Sequence, residues 1–396
     1  MDFVVLATAD WDNPLWTNKQ QLSSRWGAAG HRVLYVESLG LRRPGVSGRD
    51  LGRMWRRLKR ANRLRPAASG VWVFSPLVIP LHDSAWVRQV NRRLLPNRLR
   101  RAMRRIGMTN AVLWTYNPLA VDQLGTMEWS GIVYHCVDEL AGSPGIPSGL
   151  IEQSEADLCR TADLVVVSAP GLAEGPRSAA RRLEYLPNAA DFELFHKAVL
   201  GEPVPEDLVR IDRPRIGFFG AISDYKLDLE LLEEVFRGHP EWQLVMVGPI
   251  GEGDPETRVA ALEGLPNVHF LGSRSRDDLP GYLGGFDVCL LPNRLNRYTR
   301  NMFPLKFFEY LSAGKPVVMT PLPSLEAYRH LAHVAAADSD AFSLSLESAL
   351  AESPDDPVRD QRIDEARQHD WNLQAERLAA MTREAIGSVA APEESG

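Results

Sequence analysis

Short, continuous runs of apolar residues recur along the chain and alternate with segments of helical periodicity. Runs without polar alternation predict strands that are buried on both faces of a parallel sheet. The predicted strands form two series, at 3–7, 31–36, 71–74, 111–116, 131–136, 164–168 and 183–186, and then at 215–219, 243–247, 268–271, 288–291 and 317–319. The pattern therefore predicts an α/β chain with two tandem, doubly wound, Rossmann-like domains.

A polar, proline-containing stretch separates the two series and predicts the domain organisation. The 396 residues suffice for two ordinary domains. We expect an N-terminal domain at 1–192, a linker at 193–213 and a C-terminal domain at 214–370. An amphipathic helix at 371–388, which could cross back to the first domain, precedes a tail at 389–396 that we expect to be disordered.

Cysteine usage and hydropathy predict a cytoplasmic protein. Cys136, Cys159 and Cys289 lie far apart in the sequence, a spacing that favours neither a disulfide framework nor a zinc site. The first residues lack the basic region of a signal peptide, and no apolar run approaches the roughly 18 residues of a membrane span.

Charge is distributed unevenly along the chain. The net charge is −6, yet residues 42–105 contain 18 basic and only two acidic residues. Within them, 51–65 fits a helix with one apolar stripe and outward-pointing cations, which favours peripheral attachment to an anionic membrane surface, the inner face of the cell membrane. The alternative is a surface helix packed on its own domain. Nucleic acid is disfavoured because no binding motif or interleaved aromatic pattern is present.

The segment 301–318 carries the most specific chemistry of the chain. It predicts a helix over 303–312. Pro304 suits the first turn of this helix, and Gly314 follows its end as a stop signal. Free backbone N–H groups at the helix start, beside Lys306, suit a phosphate. Glu309, one turn further, lies among apolar residues, where a carboxylate is costly unless it binds hydroxyl groups or forms a salt bridge. Phosphate and sugar hydroxyls together are what a nucleotide-sugar presents.

This segment resembles the C-terminal signature of GT-B glycosyltransferases, especially the retaining family whose motif is Glu, seven residues, Glu, then a small residue, Gly, any residue and Pro. Glu309 matches the second glutamate, which holds the donor ribose in that family, whereas the first falls on Asn301. The resemblance extends over most of the chain and points to a bacterial branch that builds surface polysaccharides of the teichuronic-acid type. It implies a GT-B fold with two domains facing a central cleft.

The resemblance also implies a donor site in the second domain. Gly220 and Lys226 match a loop whose two basic residues contact the diphosphate, but Ala221 stands at the arginine position. Strand-end glycines let the backbone approach a flat base. The implied donor-binding residues are Gly220, Lys226, Gly248, Gly272, Ser273, Arg274, Asn301, Phe303, Pro304, Leu305, Lys306 and Glu309. Simple turns and a solvated lysine are the alternatives for the glycines and for Lys226.

Two strand-end segments of the first domain are expected to supply the acceptor side. Residues 134–139 resemble the Tyr-Asp-Cys-Val-Asp pattern of the polysaccharide branch, and we expect His135, Asp138 and Glu139 to be the catalytic residues, in contact with the reacting sugars. A histidine can bond a sugar hydroxyl, and a carboxylate can act as general base. Asp138 as a cap of its loop is the alternative. Aromatic and short polar side chains of the first loop suit acceptor binding: Asp10, Trp11, Asp12 and Asn18.

These observations predict a glycosyltransferase that moves a sugar from a UDP- or GDP-linked donor to a saccharide or polyprenyl-lipid-linked acceptor. No GxGxxG fingerprint follows the first strand, which disfavours a nicotinamide or flavin enzyme. No cofactor and no metal are expected, because no Asp-x-Asp pair follows a strand of the second domain. The alternatives are a nucleotide-sugar epimerase or hydrolase, and a non-catalytic nucleotide-binding protein of the same fold.

Overall fold

The computed structural model describes residues 1–39, 61–78, 84–120, 125–143, 145–251, 254 and 256–390. The chain divides into two compact units, one formed by Met1–Leu186 with Gln374–Gly396 and the other by Pro187–Leu373. The division falls at Leu186/Pro187. The stretch 193–213, predicted as a linker, belongs to the second unit and contains two short helices.

The first unit is built on an eight-stranded sheet in the order β3-β4-β2-β1-β5-β6-β7-β8. Its strands are β1 Asp2–Leu6, β2 Arg32–Val36, β3 Arg63–Ala68, β4 Val71–Ser75, β5 Val112–Thr115, β6 Gly131–Cys136, β7 Leu164–Val167 and β8 Leu183–Tyr185. The pairings are parallel except that of β3 with β4. The strand order reverses between β1 and β5, because β2, β4 and β3 lie on one side of β1 and β5 to β8 lie on the other.

Helices cover this sheet at α1 Asn18–Ala28, α2 Ala85–Arg105 and α3 Ser148–Thr161. The long final helix, α13 Trp371–Ala390, joins the first unit from Gln374 onward. Its attachment is specific: the Trp26 indole N–H donates to the Ala375 carbonyl over 2.9 Å, and Arg182 pairs with Glu384 at 3.1 Å. Residues 391–396, most of the predicted tail, lie outside the described residues.

The predicted basic amphipathic helix at 51–65 is wrong at its C-terminal end. Residues 63–65 belong to strand β3, whose Arg63 pairs with Ser75 of β4 in an antiparallel register. Residues 51–60 lie outside the described part of the chain. The remaining basic cluster, 88–105, forms most of helix α2.

The second unit is built on a six-stranded parallel sheet in the order β11-β10-β9-β12-β13-β14. Its strands are β9 Arg215–Phe219, β10 Gln243–Val247, β11 Val268–Gly272, β12 Val288–Leu291, β13 Val317–Met319 and β14 His333–Val334. Its helices are α4 Phe192–His196, α5 Glu206–Val209, α6 Leu229–Gly238, α7 Ala260–Glu263, α8 Leu279–Gly285, α9 Arg297–Arg300, α10 Lys306–Leu311, α11 Ser339–Leu350 and α12 Pro357–Gln368. Its strand order reverses between β9 and β12, because β10 and β11 lie on one side of β9 and β12 to β14 lie on the other.

Strand burial explains why the apolar runs predicted the sheets so well. Every residue of β9 and of β12 is buried, so both strands face core on their two sides. Helix starts follow capping chemistry: the Asp228 carboxylate accepts a hydrogen bond from the Leu231 N–H, and α6 begins at Leu229. In the portion of the chain that the structure describes, no helix has both the length and the apolar character needed to cross a membrane.

Candidate functional site

Ligands of open α/β sheets bind beyond the carboxyl ends of the strands, where the strand order reverses. In the second unit this point lies between β9 and β12. The chain leaves β9 at Gly220 and leaves β12 at Pro292, so the loops 220–228 and 292–305 meet there. Most of the residues predicted to bind a donor belong to these two loops or to the helix that follows.

Gly220, Gly248 and Lys306 are brought together at this edge. A methyl group on Gly220 would lie 2.0 Å from Lys306 Cε and 2.5 Å from Nζ, and one on Gly248 would lie 1.9 Å from the Gly220 carbonyl oxygen. Both glycines have positive φ, +133° and +151°. The Lys306 ammonium also lies 5.5 Å from the centre of the Phe218 ring. A side chain at either glycine would displace this packing, so this close approach of backbone and Lys306 requires glycine at both buried positions.

Glu309 lies on α10, one turn after Lys306, and its side chain is partly exposed. No described residue donates a hydrogen bond to its carboxylate or forms an ion pair with it. Burial raises the pKa of Glu309 to about 7, against the opposing effect of the Lys306 and Arg276 cations. Arg276 is itself ion-paired with Asp191. A costly carboxylate that has no hydrogen-bond or ion-pair partner among the described residues, under the electrostatic influence of two cations, is the arrangement expected of a ligand-binding group.

The motif helix is shorter than predicted. It spans Lys306–Leu311 rather than 303–312, so Phe303 and Pro304 precede it and the predicted phosphate site would lie at the start of a six-residue helix. The loop before it is anchored: the Asn188 amide donates to the Phe303 carbonyl over 2.7 Å, and the Phe303 ring stacks on Phe308. Leu305 and Asn301 are half-buried, and the Asn301 amide donates to the Arg297 carbonyl.

Lys226 also lies where the strand order reverses between β9 and β12, which we call the switch point. Its ammonium has other neighbours than that of Lys306. Its ammonium lies 5.2 Å from the centre of the Tyr225 ring and 5.3 Å from that of Tyr298, which belongs to α9. The main chain around it is bonded to the loop after β12, because the Lys226 carbonyl accepts from the Arg294 N–H. Lys226 and Lys306 therefore belong to the two loops that meet at β9/β12.

Gly272, Ser273 and Arg274 lie at the edge of the sheet instead. Gly272 ends β11 and the other two residues follow it; β11 is separated from β9 by β10. The Arg274 guanidinium donates to Tyr282 Oη over 2.6 Å and to the Asp207 carboxylate over 2.7 Å. Arg274 is therefore bonded within the protein, to Tyr282 and Asp207. A nucleobase at this loop would instead meet the backbone of Gly272 and Ser273.

His135 is the penultimate residue of β6 in the first unit, and β6 lies beside β5, where the strand order of that sheet reverses. His135 is 2% exposed and packs against Trp114 and Tyr116, with ring centres 5.5 Å and 5.1 Å away. Its Nδ1 has no hydrogen-bond partner among the described residues. Burial, and secondly the Lys19 ammonium, lower the pKa of His135 to about 3. The imidazole is therefore neutral at physiological pH and suited to hydrogen bonding rather than to carrying charge.

Lys19 is a functional candidate that the sequence did not reveal. It is 5% exposed, and its ammonium lies 3.9 Å from Asp138 Oδ2 and 5.2 Å from the centre of the Tyr116 ring. Asp138 remains partly exposed, with 29% of its side chain accessible. A lysine in the first turn of a surface helix gives no sequence signal of its own, because its burial depends on partners about 100 residues away.

Glu139, predicted with His135 and Asp138 to contact the sugars, is instead part of a buried ion network. Arg177 donates to Glu139 Oε2 and to Glu155 Oε2, both over 2.9 Å, and the three side chains are at most 6% exposed. The Tyr134 hydroxyl donates to Glu155 Oε1 over 2.5 Å. These contacts favour a structural role for Glu139, which holds the turn after β6.

The first strand-end loop is more buried than expected for an acceptor platform. Trp11 is 6% exposed and packs against Trp16 and Tyr35, so its ring is a core group and offers no free face to a sugar. Asp12 pairs with Arg65 at 2.8 Å. The other two acceptor candidates differ in exposure. Asp10 is half-buried, and its carbonyl accepts a hydrogen bond from the Gln20 amide, whereas Asn18 is buried as the first residue of α1.

Residues 213–352 match the protein family described as Glycosyl transferases group 1. They form a group 1 glycosyltransferase domain. The match covers Gly220, Gly248, Lys306 and Glu309, and it leaves the first unit outside.

Relatives of known sequence and structure agree with this domain. The chain is 28% identical over 261 residues to the "Putative teichuronic acid biosynthesis glycosyltransferase TuaH" of Bacillus subtilis, an alignment that spans 62% of this chain and 64% of that protein. Sucrose-phosphate synthase from Thermosynechococcus elongatus is similar in structure, with a TM-score of 0.68 at 16% identity over 98% of this chain and 99% of the other. A structure described as trehalose-6-phosphate from E. coli bound with UDP-2-fluoro glucose has a TM-score of 0.68 at 13% identity, over 97% and 99%.

The full-length structural likeness confirms the predicted fold: the chain has the GT-B fold, with two parallel-sheet domains. The described residues include no group of three or more His, Cys, Asp or Glu side chains arranged to hold a metal ion.

Proposed function

We propose that the chain is a glycosyltransferase that moves a sugar from a UDP- or GDP-linked donor to a saccharide or lipid-linked acceptor. The observation that carries this proposal is Glu309: a carboxylate without a protein partner among the described residues, beside Lys306, at the switch point of a group 1 glycosyltransferase domain. Ribose hydroxyls that donate to Glu309 would offset the cost of its burial.

The diphosphate would lie against Lys306 and Lys226. Lys306 packs against Gly220, and Gly220 in turn packs against Gly248, so the lysine side chain is held beside the main chain at this edge of the sheet. Two ammonium groups can neutralise the developing charge of a leaving nucleoside diphosphate without a metal ion. Ala221 stands where related loops have an arginine, so position 221 supplies no cation, and we assign the phosphates to these two lysines.

Sugar transfer forms a bond between the anomeric carbon and an acceptor oxygen and breaks the bond between that carbon and the phosphate oxygen. The acceptor hydroxyl proton leaves to a base or to the departing phosphate. His135, neutral because of its burial, would bond a sugar hydroxyl. Asp138, partly exposed beside Lys19, would bind or deprotonate the acceptor hydroxyl.

The acceptor class is inferred from the name of the relative, "Putative teichuronic acid biosynthesis glycosyltransferase TuaH", of which the alignment spans 64%. We propose a polysaccharide or glycolipid acceptor, including one carried on a polyprenyl lipid. A membrane-bound acceptor would place the enzyme on the cytoplasmic face of the membrane.

Helix α2 supports attachment of the first unit to an anionic membrane surface. It contains eight arginines and no acidic residue. Trp86 at its start is 70% exposed and Leu94 is 43% exposed, so this arginine-rich helix also exposes large apolar side chains. Exposed tryptophan combined with clustered cations is the pattern of an interfacial helix on anionic lipid.

Calorimetry with a panel of nucleotide-sugars, followed by product detection on a membrane extract, tests the activity. A transferase binds one donor and forms a glycosylated product only when the acceptor is present. An epimerase or hydrolase would convert the donor without an acceptor, and a non-catalytic protein would bind it unchanged; either result would contradict the proposal. Glu309→Gln serves as the inactive control.

Flotation with vesicles tests the membrane surface separately. The protein should bind phosphatidylglycerol vesicles and not phosphatidylcholine vesicles, and the triple variant Trp86→Ser, Arg92→Gln, Arg93→Gln should bind several-fold less. Arg210→Gln, an exposed arginine of the second unit, is the matched control. Equal binding of the triple variant would exclude α2 as the attachment surface.

A further inference from the structure

Lys226 has a feature beyond its position at the switch point: its ammonium faces two aromatic rings. The Tyr225 and Tyr298 ring centres lie 5.2 Å and 5.3 Å from Nζ. The two rings are themselves 5.3 Å apart and inclined by 67°, so they form two sides of a corner around the cation. Distances below about 6 Å from a ring centre are typical of cation–π attraction.

Tyr298 is rigidly placed in this corner. It is 6% exposed and belongs to α9, whose first turn is capped by Asn296. The Asn296 amide reaches across to the Tyr225 carbonyl over 2.7 Å. The Lys226 carbonyl accepts from the Asn293 amide at 3.1 Å and from the Arg294 N–H at 3.0 Å. These bonds join the loop after β9 to the loop after β12, so both rings are fixed relative to Lys226.

A lysine side chain is flexible, and ordering it at a ligand costs rotamer entropy. A ring pair that already holds the ammonium removes part of that cost before the ligand arrives. The side chain of Lys306 is also held by packing, because its ammonium lies over the Phe218 ring and against Gly220. With Ala221 in place of an arginine, the chain has no rigid guanidinium at position 221 and depends on how well its lysines are held.

We propose that Tyr298 is a positioning residue for phosphate binding: together with Tyr225 it holds the Lys226 ammonium where the donor diphosphate meets the β9/β12 switch point. This inference rests on the proposed function, which assigns Lys226 to the diphosphate. Tyr298 acts through Lys226 and touches neither phosphate nor sugar itself.

A double-mutant cycle read by calorimetry tests the inference. The variants are Tyr298→Leu, Tyr298→Phe, Lys226→Met and the double variant Tyr298→Leu/Lys226→Met, each titrated with UDP and GDP and with uridine and guanosine. Tyr298→Leu should weaken diphosphate binding about two- to fivefold, the range of an exposed cation–π contact. Nucleoside binding should not change. Tyr298→Phe, which keeps the ring, should behave like the wild type.

The Lys226→Met background separates positioning from a merely structural role. There, Tyr298→Leu should have no further effect on diphosphate affinity, because the cation it holds is gone. An equal loss in both backgrounds, or no loss in the wild-type background, would overturn the inference. Thermal melting checks the folding of each variant, and Tyr225→Leu, at a half-buried position, provides a second test if Tyr298→Leu does not fold.

The same titrations distinguish the failure of the two proposals. If Lys226→Met leaves diphosphate affinity unchanged while Glu309→Gln abolishes it, the role of Lys226 and this inference fail, but the donor site stands. If no nucleoside diphosphate binds the wild type, the proposed function fails first.

Discussion

Replacing Glu309 by glutamine should stabilise the protein at alkaline pH while it weakens donor binding. Burial raises the pKa of Glu309 to about 7 from the ordinary 4.5. A difference of roughly 2.5 pH units corresponds to about 3 kcal/mol, an upper value because the side chain is partly exposed. This is the free energy that the ionised carboxylate costs the empty protein.

The pH dependence follows from the direction of the shift. Between pH 4.5 and 7 the folded protein keeps the Glu309 proton that the unfolded chain has already released, so this group lowers stability progressively as pH rises. The cost is absent below about pH 4.5 and complete above about pH 7. Glutamine has no proton to lose, so its advantage over the wild type should grow from small at pH 5 to as much as about 3 kcal/mol at pH 8.

Urea unfolding of the wild type and Glu309→Gln at pH 5 and pH 8 measures this difference. Glu347→Gln, an exposed glutamate on α11, is the matched control and should show no pH-dependent advantage. Calorimetry with UDP and GDP should show at the same time that Glu309→Gln binds more weakly. A glutamine variant that gains no stability between pH 5 and pH 8 would refute the argument that Glu309 is held at a cost for ligand binding.

Three further outcomes follow from the described contacts. Lys306→Met should weaken binding of UDP or GDP roughly 10- to 100-fold, the value of one charge-assisted hydrogen bond, and leave nucleoside affinity unchanged in calorimetry; equal loss for nucleosides would place Lys306 away from the phosphates. Arg177→Met should destabilise the first unit by about 3–5 kcal/mol in urea unfolding, and adding Glu139→Gln should recover part of the loss, because the single variant leaves carboxylates buried without their cation; no recovery would contradict the network. Burial opposes ionisation of Glu352, but hydrogen bonds from Arg362 and His333 outweigh it and lower its pKa to about 2. Glu352→Gln should therefore cost roughly 3 kcal/mol above pH 4.5, and the difference from wild type should shrink as pH falls towards 2; a pH-independent cost would refute the assignment.

The buried strands were predictable because their side chains face core on both sides. Strands β6, β9, β10, β12 and β13 have the bounds that the sequence predicted. Strand β3 was missed because it is an edge strand of Arg-Leu-Arg-Pro-Ala-Ala, half-exposed and without a continuous apolar run. Its arginines were instead counted in a helical period that starts in the preceding residues.

The candidate site was predictable only where position along the chain determines chemistry. Gly220, Lys306 and Glu309 follow from strand ends and from one short motif, and the structure places Gly220 and Lys306 in contact. Lys19 and Arg177 gave no signal, since their roles depend on burial and on carboxylates far away in the sequence. Tertiary packing determines whether such residues are buried and paired, and the residue type alone does not reveal this.

Trp11 and Glu139 show the opposite error. Both residue types are common at carbohydrate sites and both follow a strand, yet Trp11 fills the core and Glu139 bonds Arg177. Strand-end position places a side chain near a site, and only burial and pairing determine whether it is available to a ligand.

The central claim, that Glu309 binds the ribose hydroxyls of a nucleotide donor, is tested most directly by removing those hydroxyls from the ligand. UDP or GDP should bind the wild type at least about tenfold more tightly than the 2′,3′-dideoxy nucleotide, the value of one hydrogen bond to a charged group. Glu309→Gln should bind the two ligands with nearly the same affinity. A wild type that does not discriminate between them would contradict the claim.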